Sequence, residues 1–259
     1  METTKKTQTE PRQTSASPLK WEVFVTPGIP IRTADRPADI AETFFQTMAS
    51  TLIYGERDAV LVDTFMTAKQ AGDLADWVAS KGKNLTTIYI THGHGDHWFG
   101  AATILERFPK ARLVATPSSV EVMKVNASPK YLDGAWKVGF PGQIPDKLVI
   151  ADALNGNVID LEGNELVVVE LGHTDTDYTT CLHVPSIGLV VAGDAAYNDV
   201  HLYLASRMSR RDRNGSLHSI PSRRLSHAPL WPHTSGLKTK MTRRSSKRHA
   251  NTSAILIGS

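Results

Sequence analysis

A strand-like run that leads directly into a histidine-rich turn constrains this sequence more than any other feature. Residues 86–90, TTIYI, form a short β-branched segment, and residues 91–100, THGHGDHWFG, follow without a spacer. The turn packs three histidines and one aspartate into six positions, 92–97. Imidazole and carboxylate groups together suit zinc or a related divalent cation. A single surface histidine is usually only solvated, whereas four such side chains after a strand predict a metal site.

The rest of the body alternates strand-like and helix-like segments from residue 21 to about residue 205. Apolar periodicity predicts a hairpin over 51–64, helices over 68–82, 98–108 and 117–125, and strands over 111–116, 165–173 and 188–194. We expect residues 127–150 to be irregular, serving either as a cover for substrate or as a plain connection. The alternation indicates an α/β protein in which helices cover a sheet.

Composition indicates the cellular compartment of the protein and whether it has a membrane partner. The single cysteine, Cys181, excludes an intramolecular disulfide and suits a reducing compartment. The first 20 residues are polar, so we expect a disordered lead-in without a secretory signal. The sequence contains no apolar run of about 20 residues, the length that a membrane helix needs. We therefore predict a cytoplasmic protein without a membrane partner.

Two later segments place further metal donors just beyond strand ends. His173 follows the strand-like LVVVELG, and Asp194 follows GLVVAG. Loops at the ends of strands converge in α/β sheets, and ligand sites form there. Each residue alone reads more simply as structural, but together with the turn at 92–97 they indicate one site.

This combination of motifs resembles the metallo-β-lactamase superfamily over roughly residues 51–205. The motifs are His92-x-His94-x-Asp96-His97, Gly172-His173, Gly193-Asp194, and AVLVDT, which ends on Asp63 and Thr64. The resemblance implies an αββα sandwich with a site for two divalent metals, expected to be Zn²⁺, between its two sheets. We expect the second half of this sandwich to be incomplete.

The resemblance also implies a role for each residue. His92, His94 and His173 would bind the first metal. Asp96 and His97 would bind the second metal, with Asp194 bridging the two. Asp63 would orient one ligand without touching a metal. Asp96 would also carry a proton to the leaving group.

The implied chemistry is hydrolysis by a metal-bound hydroxide, since metal binding lowers the pKa of water towards about 7. Redox members of the superfamily typically carry glutamate where His94 stands, and the best-known antibiotic-hydrolysing class has cysteine where Asp194 stands. Hydrolases of lactones and thioesters have aspartate there. We therefore expect a small cyclic amide or ester (lactam or lactone), or a thioester, as the substrate.

The segment after residue 205 departs from the family pattern. Residues 206–259 hold 12 lysines and arginines against one acid, which leaves 17 basic and 25 acidic residues in the rest of the chain. The expected final glycine-histidine ligand of the second metal is absent, although His233 stands at a plausible distance. If the codons of this basic and poorly ordered tail are read in a frame shifted by one base, they can encode an amphipathic helix, a strand ending in histidine and an acidic helix.

We interpret this tail as a frameshifted C-terminus, which sequencing of the transcript across codons 200–210 tests. An open frame matching this chain in close relatives would contradict that interpretation. The domain prediction is thus a disordered segment 1–20, a metallo-β-lactamase-like domain 21–205, and the tail 206–259. Two alternatives stay open: a phosphodiesterase or nuclease whose basic tail binds RNA, and a degenerate, inactive member. A nucleic-acid partner is disfavoured because the tail lacks interleaved aromatic residues.

Overall fold

The computed structural model describes residues 16–34, 38–197 and 255–257. Its first sheet has the strand order β1-β4-β5-β6-β7-β8. The strands are β1 (Lys20–Thr26), β4 (Met48–Tyr54), β5 (Asp58–Val62), β6 (Asn84–Tyr89), β7 (Arg112–Ala115) and β8 (Asp152–Ala153). Strands β5 to β8 are parallel, so their carboxyl ends meet at one edge. The short strands β2 (Ile29–Ile31) and β3 (Thr43–Phe45) form a separate hairpin.

The second sheet is antiparallel in the order β13-β12-β11-β10-β9. Its strands are β9 (Val158–Leu161), β10 (Asn164–Gly172), β11 (Thr179–Val184), β12 (Leu189–Val191) and β13 (Ile255–Ile257). One apolar cluster joins the two sheets: Ile53, Val60 and Tyr89 of the first sheet pack with Leu166 and Leu182 of the second. The two sheets therefore form the central layers of a sandwich.

Helices cover the other face of the first sheet. They are α1 (Ala68–Ser80), α2 (Gly95–Trp98), α3 (Ala101–Arg107), α4 (Pro117–Asn126), α5 (Pro129–Tyr131) and α6 (Lys137–Gly139). A second apolar cluster fills this interface, with Leu74 and Val78 of α1 and Ile104 of α3 fully buried. The α/β class and three layers of the predicted sandwich are thus confirmed. The prediction that the second half of the sandwich is incomplete concerns residues 198–254, which lie outside the described residues.

Local sequence signals explain where the main helices begin and end. Thr67 and Gln70 form a capping box at the start of α1. Gly82 follows α1 with φ of +64°, a conformation that glycine adopts without steric cost, and its N–H donates to the Ala79 carbonyl. Thr116 caps α4, and Pro117 occupies the first turn as predicted. The predicted helix over 98–108 divides into α2 and α3 around Gly100.

Three boundaries differ from the sequence prediction. Residues 127–150 are not wholly irregular, because α5, a single π-helical turn at Leu132–Trp136 and α6 follow one another. Order begins before residue 21, since Leu19 is buried in the cluster between the sheets. Within the segment predicted as a poorly ordered tail, Ile255–Ile257 pairs with β12 in antiparallel register.

No helix among the described residues is long and apolar enough to cross a membrane.

Candidate metal centre

Close packing around glycines fixes the backbone of the histidine-rich turn. A Cβ added at Gly93 would lie 2.5 Å from the Val122 side chain of α4, and one added at Gly95 would overlap the Phe99 ring. The Trp98 indole N–H donates to the Gly93 carbonyl over 3.1 Å. The turn therefore follows one path between β6 and α2, and its imidazoles lie close to Asp175 and Asp194, which follow strands of the second sheet.

The first group of candidate ligands contains His92, His94 and Asp175, whose ligand atoms lie within 4.8 Å of one another. Asp175 Oδ2 lies 2.9 Å from His94 Nδ1 and 3.5 Å from His92 Nε2. The His92 and Asp175 side chains are 0% and 1% exposed. Two imidazoles and one carboxylate make a common donor set for a catalytic divalent metal.

The second group contains His92, His97 and Asp194. Asp194 Oδ1 lies 3.4 Å from His97 Nε2, and Asp96 Oδ2 lies 3.5 Å from the same nitrogen. Asp96, His97 and Asp194 are all buried. The two groups share His92 and are therefore adjacent, as a site for two ions requires.

Asp63 holds the turn in place from the end of β5. Its Oδ1 accepts the Thr91 N–H over 2.9 Å, and its Oδ2 lies 2.8 Å from His97 Nδ1. Asp63 has a φ of +63°, which is unusual for a residue other than glycine. The contact directs the opposite ring nitrogen of His97, Nε2, towards Asp194 and Asp96.

Tyr197 supports Asp194 in a similar way. Its hydroxyl donates to Asp194 Oδ2 over 2.8 Å, which leaves Oδ1 facing His97. Burial and then the Asp194 charge raise the pKa of Tyr197, so the phenol stays protonated.

The structure does not bring His173 into either group. Gly172 ends β10 with φ of +77°, and the His173 ring turns towards Asp177, with 2.8 Å between Nδ1 and Oδ1. Its side chain is 28% exposed. The assignment of His173 as a ligand therefore stays a prediction, and His233 lies outside the described residues.

Asp175 is the residue that sequence reasoning missed. The signal for it was its place in the turn HTDTD, where three candidate donors stand within five positions. The strand pattern could not show which of the three points inward, because a turn lacks the regular alternation of a strand.

Unsatisfied buried atoms test whether these residues fit a metal. Among the described residues, three buried side-chain atoms lack a hydrogen-bond partner: His92 Nε2, Asp175 Oδ2 and Asp194 Oδ1. All three belong to the two ligand groups. A buried polar atom without a partner is costly, and metal coordination would satisfy all three. The residues fit a divalent cation.

The charges and pKa values of these side chains also favour a divalent cation. Burial lowers the pKa of His92 to about 4, with His97 acting in the same direction, so its ring is neutral near pH 7. Burial opposes protonation of His97 too, but Asp194, Asp96 and Asp63 raise its pKa well above the usual value. These carboxylates concentrate negative charge in a buried space, which a divalent cation would balance.

Comparisons with known proteins address the family of the chain. The sequence profile of the family described as Metallo-beta-lactamase superfamily matches residues 48–225. A comparison with curated proteins finds no match. A solved structure of the BLEG-1 B3 metallo-beta-lactamase is 14% identical, with a TM-score of 0.46 over 64% of this chain and 79% of its own.

Two further solved structures are similar. A metallo-beta-lactamase family protein from Thermus thermophilus is 18% identical, with a TM-score of 0.47 over 70% of this chain and 61% of its own. A metallo-beta-lactamase from Cronobacter sakazakii is 20% identical, with a TM-score of 0.40 over 53% of this chain and 48% of its own. The chain thus spans less than two thirds of the length of these two proteins.

The family match covers more than half of the chain and includes both ligand groups. The chain belongs to the metallo-beta-lactamase superfamily.

Proposed function

We propose that this chain is a metal-dependent hydrolase of a small cyclic amide or ester (a lactam or lactone), or of a related thioester. It has the fold of a superfamily whose members are generally hydrolases. The observation that carries the proposal is the convergence of three unpartnered buried donor atoms, on His92, Asp175 and Asp194, at one edge of the sandwich. Side chains that serve only to stabilise a core are normally paired.

Two divalent ions, which we propose to be Zn²⁺, would supply an activated water and an electrophile for the substrate carbonyl. His92 and His94 would hold the first ion, with a third donor from the turn of residues 173–177. His97, Asp96 and Asp194 would hold the second ion. Asp63 supports that role for His97, because its contact with Nδ1 directs Nε2 into the site.

Asp96 is the proposed proton carrier to the leaving group. Asp96 lies in the first turn of α2, its side chain is 9% exposed, and its Oδ2 is 3.5 Å from His97 Nε2. A carboxyl group in that position can deliver a proton to a nitrogen, oxygen or sulfur that departs from the carbonyl carbon.

The substrate class rests on Asp194 and on the nature of the single cysteine. In the family resemblance, aspartate at position 194 goes with hydrolases of lactones and thioesters. Cys181 is buried in β11, and burial raises the pKa of its thiol to about 11. The thiol stays protonated near neutral pH, which makes it a poor nucleophile. The reaction that we propose needs no protein nucleophile.

A small molecule is the proposed partner, and a reducing compartment such as the cytoplasm is the proposed location. The basic residues that would bind RNA in the nuclease alternative fall within residues 206–254, outside the described residues. The structure thus offers no observation that favours the nuclease.

A substrate panel tests the proposed function. The full chain, loaded with Zn²⁺, would be assayed against a β-lactam, an acyl homoserine lactone, a thioester and bis(p-nitrophenyl) phosphate. We expect hydrolysis of at least one of the first three, loss with a chelator, and recovery with Zn²⁺. His92→Ala is the inactive control, since His92 belongs to both ligand groups.

The panel also separates the alternatives. Hydrolysis of the phosphodiester alone would favour the nuclease. A folded protein that binds metal and hydrolyses nothing would favour the degenerate alternative, and either result would contradict the proposed function.

A further inference from the structure

We propose that α4 and Tyr178 form a binding surface for an apolar group of the substrate, such as an alkyl chain or an aromatic ring beside the reacting carbonyl. Val122 and Val125 of α4 supply one side of this surface, and the Tyr178 ring supplies the other. The inference rests on the proposed metal-dependent function and specifies one feature of the substrate. It concerns side chains that are not metal donors.

The opening of the metal centre lies beside His94. Among the members of the two ligand groups, the His94 side chain is the most exposed, at 21%. The side chains of the other members, His92, His97, Asp175 and Asp194, are at most 8% exposed. A molecule from solvent therefore reaches the donor groups on the side of His94, and the residues beside it contact the part of the substrate next to the reacting bond.

Helix α4 packs directly against the backbone that precedes His94. A Cβ added at Gly93 would lie 2.5 Å from Val122 Cβ and 2.8 Å from the Met123 backbone nitrogen. Val122 is half-buried at this contact. Val125 lies one helical turn further along the same face and is 50% exposed. The part of α4 nearest to the opening is therefore apolar.

Tyr178 brings an aromatic ring to the same part of α4. Ser119 Oγ donates to the Tyr178 carbonyl over 3.4 Å, and Ser119 lies one helical turn before Val122. Tyr178 has a φ of +63°, and its side chain is 57% exposed. A bulky residue in this conformation is strained, and such strain is concentrated at functional sites. The start of β11 and α4 thus lie side by side next to the opening.

The charges of α4 favour an uncharged group on this surface. The helix carries one acidic and one basic side chain, Glu121 and Lys124, and their charged groups pair over 2.7 Å. Because the two charges offset each other, the surface offers no net attraction to an anion or a cation. Sites for small molecules are mostly lined by apolar side chains of this kind.

The aromatic side chains of residues 127–150 hold α4 in place and do not line this surface. Phe140 is 2% exposed, and Trp136 packs against the same apolar cluster between the first sheet and its helices. The Trp136 indole N–H donates to Asn126 Oδ1 over 3.1 Å, at the last residue of α4. The position of Val125 relative to the opening is therefore set by packed elements.

Ligand binding to the Co²⁺-loaded full chain tests the inference without turnover. Butanohydroxamate and octanohydroxamate have the same metal-binding head group, and the visible absorption of Co²⁺ reports only ligand that reaches the metal. A fully buried CH₂ group is worth about fourfold in affinity, and an open surface covers about half of each group. We therefore expect octanohydroxamate to bind about tenfold more tightly than butanohydroxamate.

Two variants test where the alkyl chain binds. Val125→Gln and Tyr178→Asn should each reduce the tenfold preference to about threefold or less and leave the affinity for butanohydroxamate unchanged. Asparagine suits position 178 because it adopts a positive φ readily. Val158→Gln, at a 40% exposed valine of β9, is the matched control and should keep the preference. Far-ultraviolet circular dichroism reports folding, and if one variant does not fold, the other decides.

The outcomes separate this inference from the proposed function. Equal affinity for the two hydroxamates in the wild type, or an undiminished preference in both variants, would overturn the apolar surface alone. A wild-type chain that binds no Co²⁺ would overturn the proposed function and this inference with it. A preference that both variants lose, with no panel substrate hydrolysed by the wild type, would uphold the inference and contradict the proposed reaction.

Discussion

The two edges that meet at the candidate metal centre are built in different ways. On the first sheet, the turn at residues 91–100 runs between β6 and α3, and side chains or backbone crowd three of its glycines. On the second sheet, residues 173–178 form a polar turn, and Gly172, which precedes it, has open space around it. The first edge is thus held by steric packing, and the second by hydrogen bonds between short polar side chains.

This difference explains how each edge fixes the positions of its metal-donor side chains. A crowded backbone has one path, so the positions of His92, His94 and His97 follow from chain order. A turn such as HTDTD has several paths, and contacts with Thr179 and Thr91 select one of them. Four substitutions can break or sharpen this contrast.

The largest effect is expected at Gly100 on the first edge. A Cβ there would overlap the Thr64 carbonyl and lie 2.7 Å from the Ala71 side chain. Because backbone cannot move aside cheaply, Gly100→Ala should lower the free energy of unfolding by about 3 kcal/mol. Urea unfolding of the metal-free protein measures this change.

Gly72 in α1 provides the matched control for that substitution. A Cβ at Gly72 would meet nothing within 4 Å, so Gly72→Ala should stabilise the helix by about 0.5–1 kcal/mol. Equal stability of the two alanine variants would contradict the idea that packing fixes the first edge.

The next largest effect is expected at Asp63. In Asp63→Asn, the side-chain amide can donate to His97 Nδ1, which would place the ring proton on Nε2 and block metal binding there. Metal affinity should fall by about 10- to 100-fold, as measured by competition with a chromogenic chelator. Asp73→Asn, at an exposed position in α1, should leave the affinity unchanged. Wild-type affinity in Asp63→Asn would show that His97 needs no such support.

A smaller effect is expected at Tyr197, which supports the Asp194 ligand from beyond β12. Tyr197→Phe removes one hydrogen bond to a carboxylate, worth about 1 kcal/mol net, so metal should dissociate about five- to tenfold faster. Tyr178→Phe is the control, because the Tyr178 side chain is 57% exposed. If Tyr178→Phe speeds metal dissociation more than Tyr197→Phe does, the role assigned to Tyr197 is wrong.

The smallest effect concerns the far end of the sandwich, where Glu162 joins the sheets. Its carboxylate accepts the N–H groups of Glu56, Arg57 and Asp58 in the β4–β5 turn, and the last two of these bonds are 2.6 and 2.7 Å long. These bonds lower the pKa of Glu162 from 4.5 to about 2, and the bond from the Asp58 N–H has the largest effect. Glu162 is only partly buried, so we expect a modest contribution.

The sign of the pH dependence follows from that lowered pKa. A depressed folded-state pKa stabilises the protein above pH 4.5, and this stabilisation is lost as the pH falls towards 2. The melting temperature of Glu162→Gln should therefore lie below that of the wild type at pH 7, and the gap should close between pH 5 and pH 2. A gap that does not vary with pH would rule out an electrostatic role for Glu162.

Much of the first half of the molecule was predictable because its signals are local. The hairpin at 51–64, α1 and α4 follow from apolar periodicity and from start signals such as Thr67 before α1 and Pro117 in the first turn of α4. The histidine-rich turn was recognisable because its donors are adjacent in the chain. The π-helical turn at Leu132–Trp136 was not predictable, since it depends on packing of Trp136 against Phe99 and Phe140.

The sequence by itself determined the family, the α/β class and the donors that one turn supplies. The tertiary structure decided how the second sheet contributes to the site. The sequence pointed to His173 in the turn after β10, whereas the structure buries Asp175 beside His92 and His94 and places His173 against Asp177. The physical reason is that donor choice within a polar turn depends on burial and distance, which arise only when the two sheets pack together.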